Sequence, residues 1–517
     1  MSAQMAAATS NVLLASYDAV PYGGGAIVAT RPDYLAANAR LRGLGAPDAA
    51  HCRTLDVGCA TGGNLMAMAL AFPESEFIGV DLSPKQIATA RATAHALGLT
   101  NVRFEAVSIT DIDDALGTFD YIVSHGVYSW VPRPVQRALL DVVARTLAPN
   151  GVAYVSYNTY PGWHGRSIVR DMMLFHDRPD LPAGERVARG RKLIELVASS
   201  VPKSQSVYAA LLREEIETLD TVNDSYVVHE ELEAENHPVY FSDFAQSAEA
   251  AGLRYMCEAY PSVTDVQLSA ELREQLRQLS ADDIQYEQYL DFVRNRTFRR
   301  SLLCRSDRTI ARDTVPEALQ SMFLRARCVV EPSTGSSEPD TEVFRTSAGT
   351  AITMSHPVVR AALHVLIDSR PAAVSFDDLL AETRARVGSV MQVTAELLAD
   401  AMLRCAMVRL LDLTTHGERC ATRLSRCPTA SPLARHEART ESLVTSLSHV
   451  QVRLSEFDRA LLTRVDGTRE ERALVDEMIA MSALHDVGLG TTPERRAVED
   501  TVRAALEQYR LCALLVE

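Results

Sequence analysis

Leu55-Asp56-Val57-Gly58-Cys59-Ala60-Thr61-Gly62-Gly63-Asn64 is the stretch whose reading decides the fold. An apolar run stops in a glycine-rich turn, and the turn leads into a helical pattern. A strand that ends this way brings backbone N–H groups and a helix N-terminus close to a ligand. Outward from it, apolar runs at 54–57, 76–80, 102–106, 119–124 and 151–156 alternate with helical segments. In the 85–97 segment, Ile87, Ala90, Ala94 and Leu97 share one helix face, and Gly98 closes it. The alternation predicts an α/β fold, a Rossmann-like parallel sheet covered by helices. It breaks at 165–226, a helical insertion, and resumes with a helix at 242–251 and a strand at 253–259. Such an insertion belongs above the carboxyl ends of the strands, where doubly wound sheets bind ligands.

The whole chain has 517 residues, enough for several domains. Residues 1–50 read as an N-terminal cap and 51–262 as the ligand-binding domain with its insertion. Residues 263–330 read as a charged, helical middle region. The Pro-, Gly- and Ser-rich stretch 331–349 reads as a linker, and 350–517 as a mainly helical C-terminal region. The ends of that region, around Cys405–Leu411 and Tyr509–Leu515, suggest two related winged-helix-like units. The net charge of -15 disfavours phosphate backbones and anionic lipid, so no nucleic acid and no membrane is expected as partner. No basic leader or apolar span of membrane length is present, and the nine scattered cysteines form no zinc-type spacing. These features predict a cytoplasmic protein with no metal. A homodimer is compatible with them. Only three of the 52 basic residues are lysines, Lys85, Lys192 and Lys203.

Two cofactors compete for the turn. Read as Gly58-x-Ala60-x-x-Gly63, it imitates a dinucleotide fingerprint. Asp56, however, stands two residues before the first glycine, where an anion repels a pyrophosphate and suits a cationic amino-acid tail. S-adenosylmethionine (SAM) carries an ammonium and a sulfonium and no phosphate. Asp81, closing the second strand, can accept both hydroxyls of a ribose. The cofactor-binding set expected is Asp56, Gly58, Ala60, Gly62, Asn64, Asp81, Leu82, Ser108, Ile109 and His125. A plain structural turn is the remaining reading. Trp130 and Trp163, the two tryptophans of the chain, fall in loops at the same sheet edge. They read either as packing or as an aromatic wall around a cationic centre, worth about 0.5–2 kcal/mol per contact.

At Tyr17-Asp18-x-Val20-Pro21-Tyr22, DVGCATGGN, FIGVDLS, SHGVYSWVP (124–132), AYVSYNTYPGW (153–163), His229-Glu230, Asn236-x-Pro238-Val239-Tyr240-Phe241 and EQYLDFVRNRTFRRSLLC (287–304), the sequence resembles one family. It is similar to class I SAM-dependent methyltransferases with a methyltransferase regulatory domain, rickettsial protein lysine methyltransferases among them. The resemblance covers nearly the whole chain. It implies SAM as donor, S-adenosylhomocysteine as product, and a protein or peptide substrate methylated on lysine. Two positions depart from the family pattern: Ala60 replaces a glycine, tolerable where φ is negative, and Arg31 replaces a histidine.

Methyl transfer is an in-line displacement, so the protein mainly positions a nucleophile and excludes water. A lysine acceptor must first lose a proton, which costs roughly 4.6 kcal/mol at pH 7 from a pKa near 10.4. Desolvation recovers much of that. Tyr17, Tyr22, His125, Tyr128 and Tyr157 are the candidates to orient or deprotonate the acceptor, and Trp130, Asn158 and Trp163 the candidates to contact it. His125 alone fits a structural or SAM-contacting role better than a base. The run Arg294, Arg296, Arg299 and Arg300 reads either as a site for an acidic substrate or, as such runs more often are, as a solvated helix face paired with local carboxylates. His229-Glu230 looks like a metal pair, but adjacent residues diverge on a helix, and no metal is assigned. A small-molecule methyltransferase and a SAM-binding regulator without turnover are the alternatives.

Overall fold

The structure is a computed structural model and describes residues 24–202, 204, 206–260, 268–331, 341–346, 349–482 and 494–516. Its central sheet has seven strands: β1 (Arg53–Val57), β2 (Glu76–Asp81), β3 (Val102–Ala106), β4 (Phe119–Ser124), β5 (Leu147–Asn158), β6 (Leu253–Glu258) and β7 (Phe298–Arg305). Their order is β3-β2-β1-β4-β5-β7-β6. Strands β1 to β5 pair in parallel, and β7 runs antiparallel between β5 and β6. The strand order reverses beside β1, and the crevice at such a switch point is where α/β sheets hold ligands.

Alternation along the strands sends side chains to two covered faces. Phe77, Phe104, Tyr121, Val123 and Tyr154 pack under the helices Pro32–Leu41, Gly63–Ala71 and Pro84–Ala96. Leu55, Val57, Ile78, Val80, Ile122 and Val155 pack under Arg133–Thr146 and Phe241–Ala250. Each such side chain, fully buried, contributes roughly 1.5–3 kcal/mol. The insertion after β5 comprises Trp163–His176, Ala183–Ser200, Ser206–Thr221 and Asp224–Glu231, closed on its own core of Val169, Met173, Val187, Ile194 and Leu212.

Three readings need correction. The sheet is mixed, because β7 lies inside the segment read as charged helices. Arg299 and Arg300 sit on that strand and not on a helix face, and among the described residues the expected carboxylate pairing is found for Arg299 but not for the Arg300 guanidinium. Arg299 is fully buried, 2.7 Å from Asp291 and 3.0 Å from Glu287. Within the stretch read as a linker, Glu342–Thr346 is a strand paired with Cys328–Val330 and Ala351–Met354, anchored by the fully buried Phe344. Residues 332–340 and 347–348 of that stretch lie outside the described residues.

The C-terminal region begins with the helices Pro357–Asp368, Phe376–Val387 and Ala395–Met407. Their small sheet joins Val374–Ser375 and Leu411–Thr414 through the upstream strand Phe323–Ala326. A second unit places a hairpin, Leu443–Thr445 with Gln451–Arg453, ahead of three more helices that end at Leu511. The N-terminal helix Pro32–Leu41 also packs on this region through Ala37 and Leu41. A buried ion network fastens it there. Arg31 lies 2.7 Å from Asp33 and 3.1 Å from Glu418, and Arg325 bridges Glu418 (2.8 Å) and Asp412 (2.9 Å). Removing one partner of such a buried network costs about 3–5 kcal/mol. Arg31 is thus a structural cation where the family pattern has histidine.

Candidate active site

The turn after β1 is built tightly. Gly58 sits at φ +84, and a Cβ there would lie 2.3 Å from Val127 Cγ2, so the position excludes any side chain. Its N–H and that of Cys59 donate to the Val80 carbonyl at 2.8 and 3.1 Å, tying the turn to β2. Ala60 has φ +49, so the condition under which alanine is tolerated without strain is not met. A non-glycine residue in this left-handed region is strained by about 1–2 kcal/mol. Ala60 N–H donates to Asp81 Oδ2 and Ser83 N–H to Asp81 Oδ1, each at 2.9 Å. The Asp81 carboxylate is therefore held in one orientation at the end of β2.

A cavity of about 480 Å³ opens over this turn, at the carboxyl ends of the strands. Its near side, over the turn and the strand ends, is formed by Gly58, Ala60, Asp81, Leu82, Ser108, Ile109 and His125, the residues expected to hold the cofactor. Its far side is formed by Trp130 and Asn158 together with Arg166, Tyr226, His229 and Glu230, which arrive on the insertion. Nine of the residues expected at the site from sequence are thus brought together around one cavity.

Others are placed elsewhere. Asp56, Gly62 and Asn64 hold the turn from behind. Asp56 is buried with its carboxylate 3.5 Å from Asn64 Nδ2, and burial pushes its pKa up to about 7. Asn64 Oδ1 accepts from Ile27 N–H (3.0 Å) and from His449 Nε2 (2.8 Å), a residue of the second C-terminal unit. His449 is buried and held well below its usual pKa, so it is a neutral donor. Tyr128 and Tyr157 do not line this cavity. They pack on Phe244, with ring centroids 5.2 and 4.1 Å away, on the opposite face of the sheet, and Tyr157 bonds Ser301 Oγ at 2.9 Å. Trp163 is fully buried and meets Trp130 edge to face at 6.4 Å. It supports the cavity wall without forming it, so of the two tryptophans only Trp130 lines the cavity, with Tyr226 and Phe298 as further aromatic rings. Tyr17 and Tyr22 lie outside the described residues.

His125 Nδ1 shares hydrogen bonds with Tyr154 Oη (2.8 Å) and Ser156 Oγ (3.3 Å). Burial, reinforced by Arg300, lowers its pKa to about 3. A neutral imidazole that weakly basic positions its neighbours and does not collect a proton near pH 7. Glu230 is the opposite case. Burial raises its carboxyl to about 7, against the opposing pull of Arg166 and with a push from Glu231. Arg166 is engaged by Glu231 at 3.1 Å, and no cation stands within ion-pair distance of Glu230 among the described residues. Sequence reading passed over this residue because it weighed His229-Glu230 only as metal ligands. The available signal was the pair's place in the motif set that carries the family resemblance.

The chemistry of the wall fits SAM. A carboxylate at Asp81 suits ribose hydroxyls, Leu82 and Ile109 are apolar, and among the described residues the guanidiniums lining the cavity are those of Arg166, which the insertion carries, and Arg300 on β7, not residues of the turn. Comparison with known proteins agrees. Family models match at 48–175 (methyltransferase domain), 223–305 (predicted methyltransferase regulatory domain) and 427–514 (PKMT, C-terminal winged helix domain). The uncharacterized protein RP789 of Rickettsia prowazekii is 31% identical over 501 residues, covering 95% of this chain and 90% of that protein.

The chain belongs to the SAM-dependent methyltransferases that carry this regulatory domain.

A second R. prowazekii protein, RP028, is 41% identical over 234 residues, which is 45% of this methyltransferase and 94% of the relative. The solved structure of PKMT2 from Rickettsia typhi in complex with AdoHcy superposes with a TM-score of 0.85 at 27% identity, over 96% of this chain and 100% of that one. The fold read from the sequence, a Rossmann-like catalytic sheet with a winged-helix C-terminus, is thereby confirmed.

Proposed function

We propose that this methyltransferase acts on the side-chain amine of a lysine in a protein or peptide. The observation that carries the reading is Glu230. A carboxyl without a cationic partner faces the cavity from its far side, next to Trp130 and Tyr226. Such a chamber selects a cation, which the carboxylate attracts and the aromatic faces accept. SAM supplies an electrophilic methyl group when bound. The protein's own residues must then hold the amine and relieve it of its proton. Desolvation lowers the ammonium pKa and raises that of Glu230, so the two converge and proton transfer within the pair becomes accessible. Asn158, its Nδ2 3.1 Å from Asn236 Oδ1, is fixed where it can orient the amine. The likeness to PKMT2, a lysine methyltransferase by its name, points the same way.

The protein's nine cysteines are all free thiols, seven of them buried, which fits a reducing compartment such as the cytoplasm. No helix among the described residues is long and apolar enough to cross a membrane. We also propose a homodimer built on the insertion, whose Phe175 (93%) and Val207 (82%) are highly exposed apolar side chains. Sedimentation at two concentrations tests it.

The direct test of function supplies SAM with a labelled methyl group to a lysate of the source cells. Label in protein bands, located on lysine by mass spectrometry, is the expected result. Label confined to a small-molecule fraction refutes the reading in favour of a metabolite acceptor.

A further inference from the structure

Behind His125 and Arg300 lies a second cavity of about 360 Å³, between the catalytic sheet and the C-terminal region. It shares those two residues with the active-site cavity and adds Tyr260, Arg327, Arg409 and Asp412. Three guanidiniums therefore face one carboxylate. That carboxylate is already engaged: Asp412 lies 2.9 Å from Arg325 and 3.4 Å from Arg327.

Arg300 and Arg409 differ from the protein's paired arginines. Both guanidiniums are parked against the Tyr260 ring, 5.3 and 4.6 Å from its centroid. Among the described residues neither has a carboxylate within ion-pair distance nor a hydrogen bond from its guanidinium. Arg409 also occupies φ +61 just after the helix Ala395–Met407, a position where glycine is the usual choice. Its guanidinium does not cap that helix. Two cations stacked on an aromatic, with their N–H edges unused, make a fork for a carboxylate.

We propose that this second cavity is a carboxylate subsite, in which Arg300 and Arg409 grip an aspartate or glutamate side chain that flanks the acceptor residue of the polypeptide substrate. The subsite rests on the lysine reading above for its occupant. The shared wall at His125 and Arg300 places the flanking carboxylate beside the acceptor chamber. The other source of a carboxylate is the methionine tail of SAM, and the experiment separates the two.

The full-length protein with S-adenosylhomocysteine is titrated calorimetrically with two peptides, each holding one lysine flanked by either glutamates or glutamines. SAM affinity is measured in parallel. The wild type should prefer the glutamate peptide by roughly tenfold, the worth of one charge-assisted hydrogen bond. Arg409→Gln should abolish the preference while leaving SAM and the glutamine peptide unaffected, and Arg409→Lys should restore part of it. No preference in the wild type, or equal weakening of both peptides, overturns the proposal. Weakened SAM binding in Arg409→Gln overturns it in favour of the cofactor's carboxylate. If neither peptide is methylated in a separate assay with SAM, the lysine reading falls. The subsite is then decided by the same pair with norleucine replacing lysine, and absence of glutamate preference there refutes it.

Discussion

Replacing Glu230 by glutamine should weaken catalysis and strengthen the fold. The carboxyl titrates near 7 in the folded protein, against an ordinary value of 4.5, and burial is the main cause. A carboxyl whose folded pKa is raised adds stability below about pH 4.5, and that contribution is lost as pH rises through about 7. A displacement of about 2.5 units corresponds to at most about 3 kcal/mol above pH 7. Glutamine has the same shape and no charge, so Glu230→Gln should match the wild type near pH 5 and exceed it by up to that amount near pH 8.5. Urea unfolding at both pH values measures the difference. Loss of the anion removes a charge-assisted contact to the acceptor ammonium, worth about 1.5–3 kcal/mol, or about 10- to 100-fold in kcat/KM. The acceptor amine itself titrates, so the informative quantity is the wild-type-to-variant ratio of kcat/KM. That ratio should rise through about pH 7 and then level off. A stability difference independent of pH, or a flat ratio, refutes the role assigned to Glu230.

Asp81→Ala should weaken SAM binding by about 100-fold in calorimetry, because two hydrogen bonds to a carboxylate are lost together. Unchanged affinity removes Asp81 from the cofactor site. Ala60→Gly should raise stability by about 0.5–1 kcal/mol, since relief of 1–2 kcal/mol of left-handed strain exceeds the 0.4–1 kcal/mol of added chain entropy; a lower melting temperature contradicts the backbone geometry. His449→Ala should weaken SAM binding several-fold and lower stability by about 1 kcal/mol, because Asn64 Oδ1 loses one of its donors and keeps Ile27 N–H. Calorimetry and thermal unfolding together check it.

Much of this molecule is written in local pattern. The strands β1 to β5 are apolar runs bounded by turns, and Gly58, Asp81 and the insertion fall where a switch point puts a ligand. Tyr157 was readable too. It alternates with Ser156 and Asn158 on β5, so a strand that turns those two toward His125 and the cavity turns Tyr157 to the other face. Strand β7 was not readable locally. Its arginines make it look like a charged helix, and Asp291 and Glu287, from a separate helix, together with Glu258 on β6, make the burial of Arg299 tolerable. Glu230 is a matter of tertiary environment: its raised pKa arises from burial against helices distant in sequence. Arg300 and Arg409, 109 positions apart, meet only because the C-terminal region folds back on the sheet.

The hydrogen bond from His449 to Asn64 joins residues 385 positions apart. A ribosome releases the chain N-terminus first, at about 5–20 residues per second, so the glycine-rich turn waits roughly 20–80 seconds for its last support. During that interval the catalytic sheet can close, but its turn lacks the donor that the C-terminal region supplies. Until His449 has joined the fold, the turn is expected to bind SAM several-fold more weakly, the same effect predicted for His449→Ala.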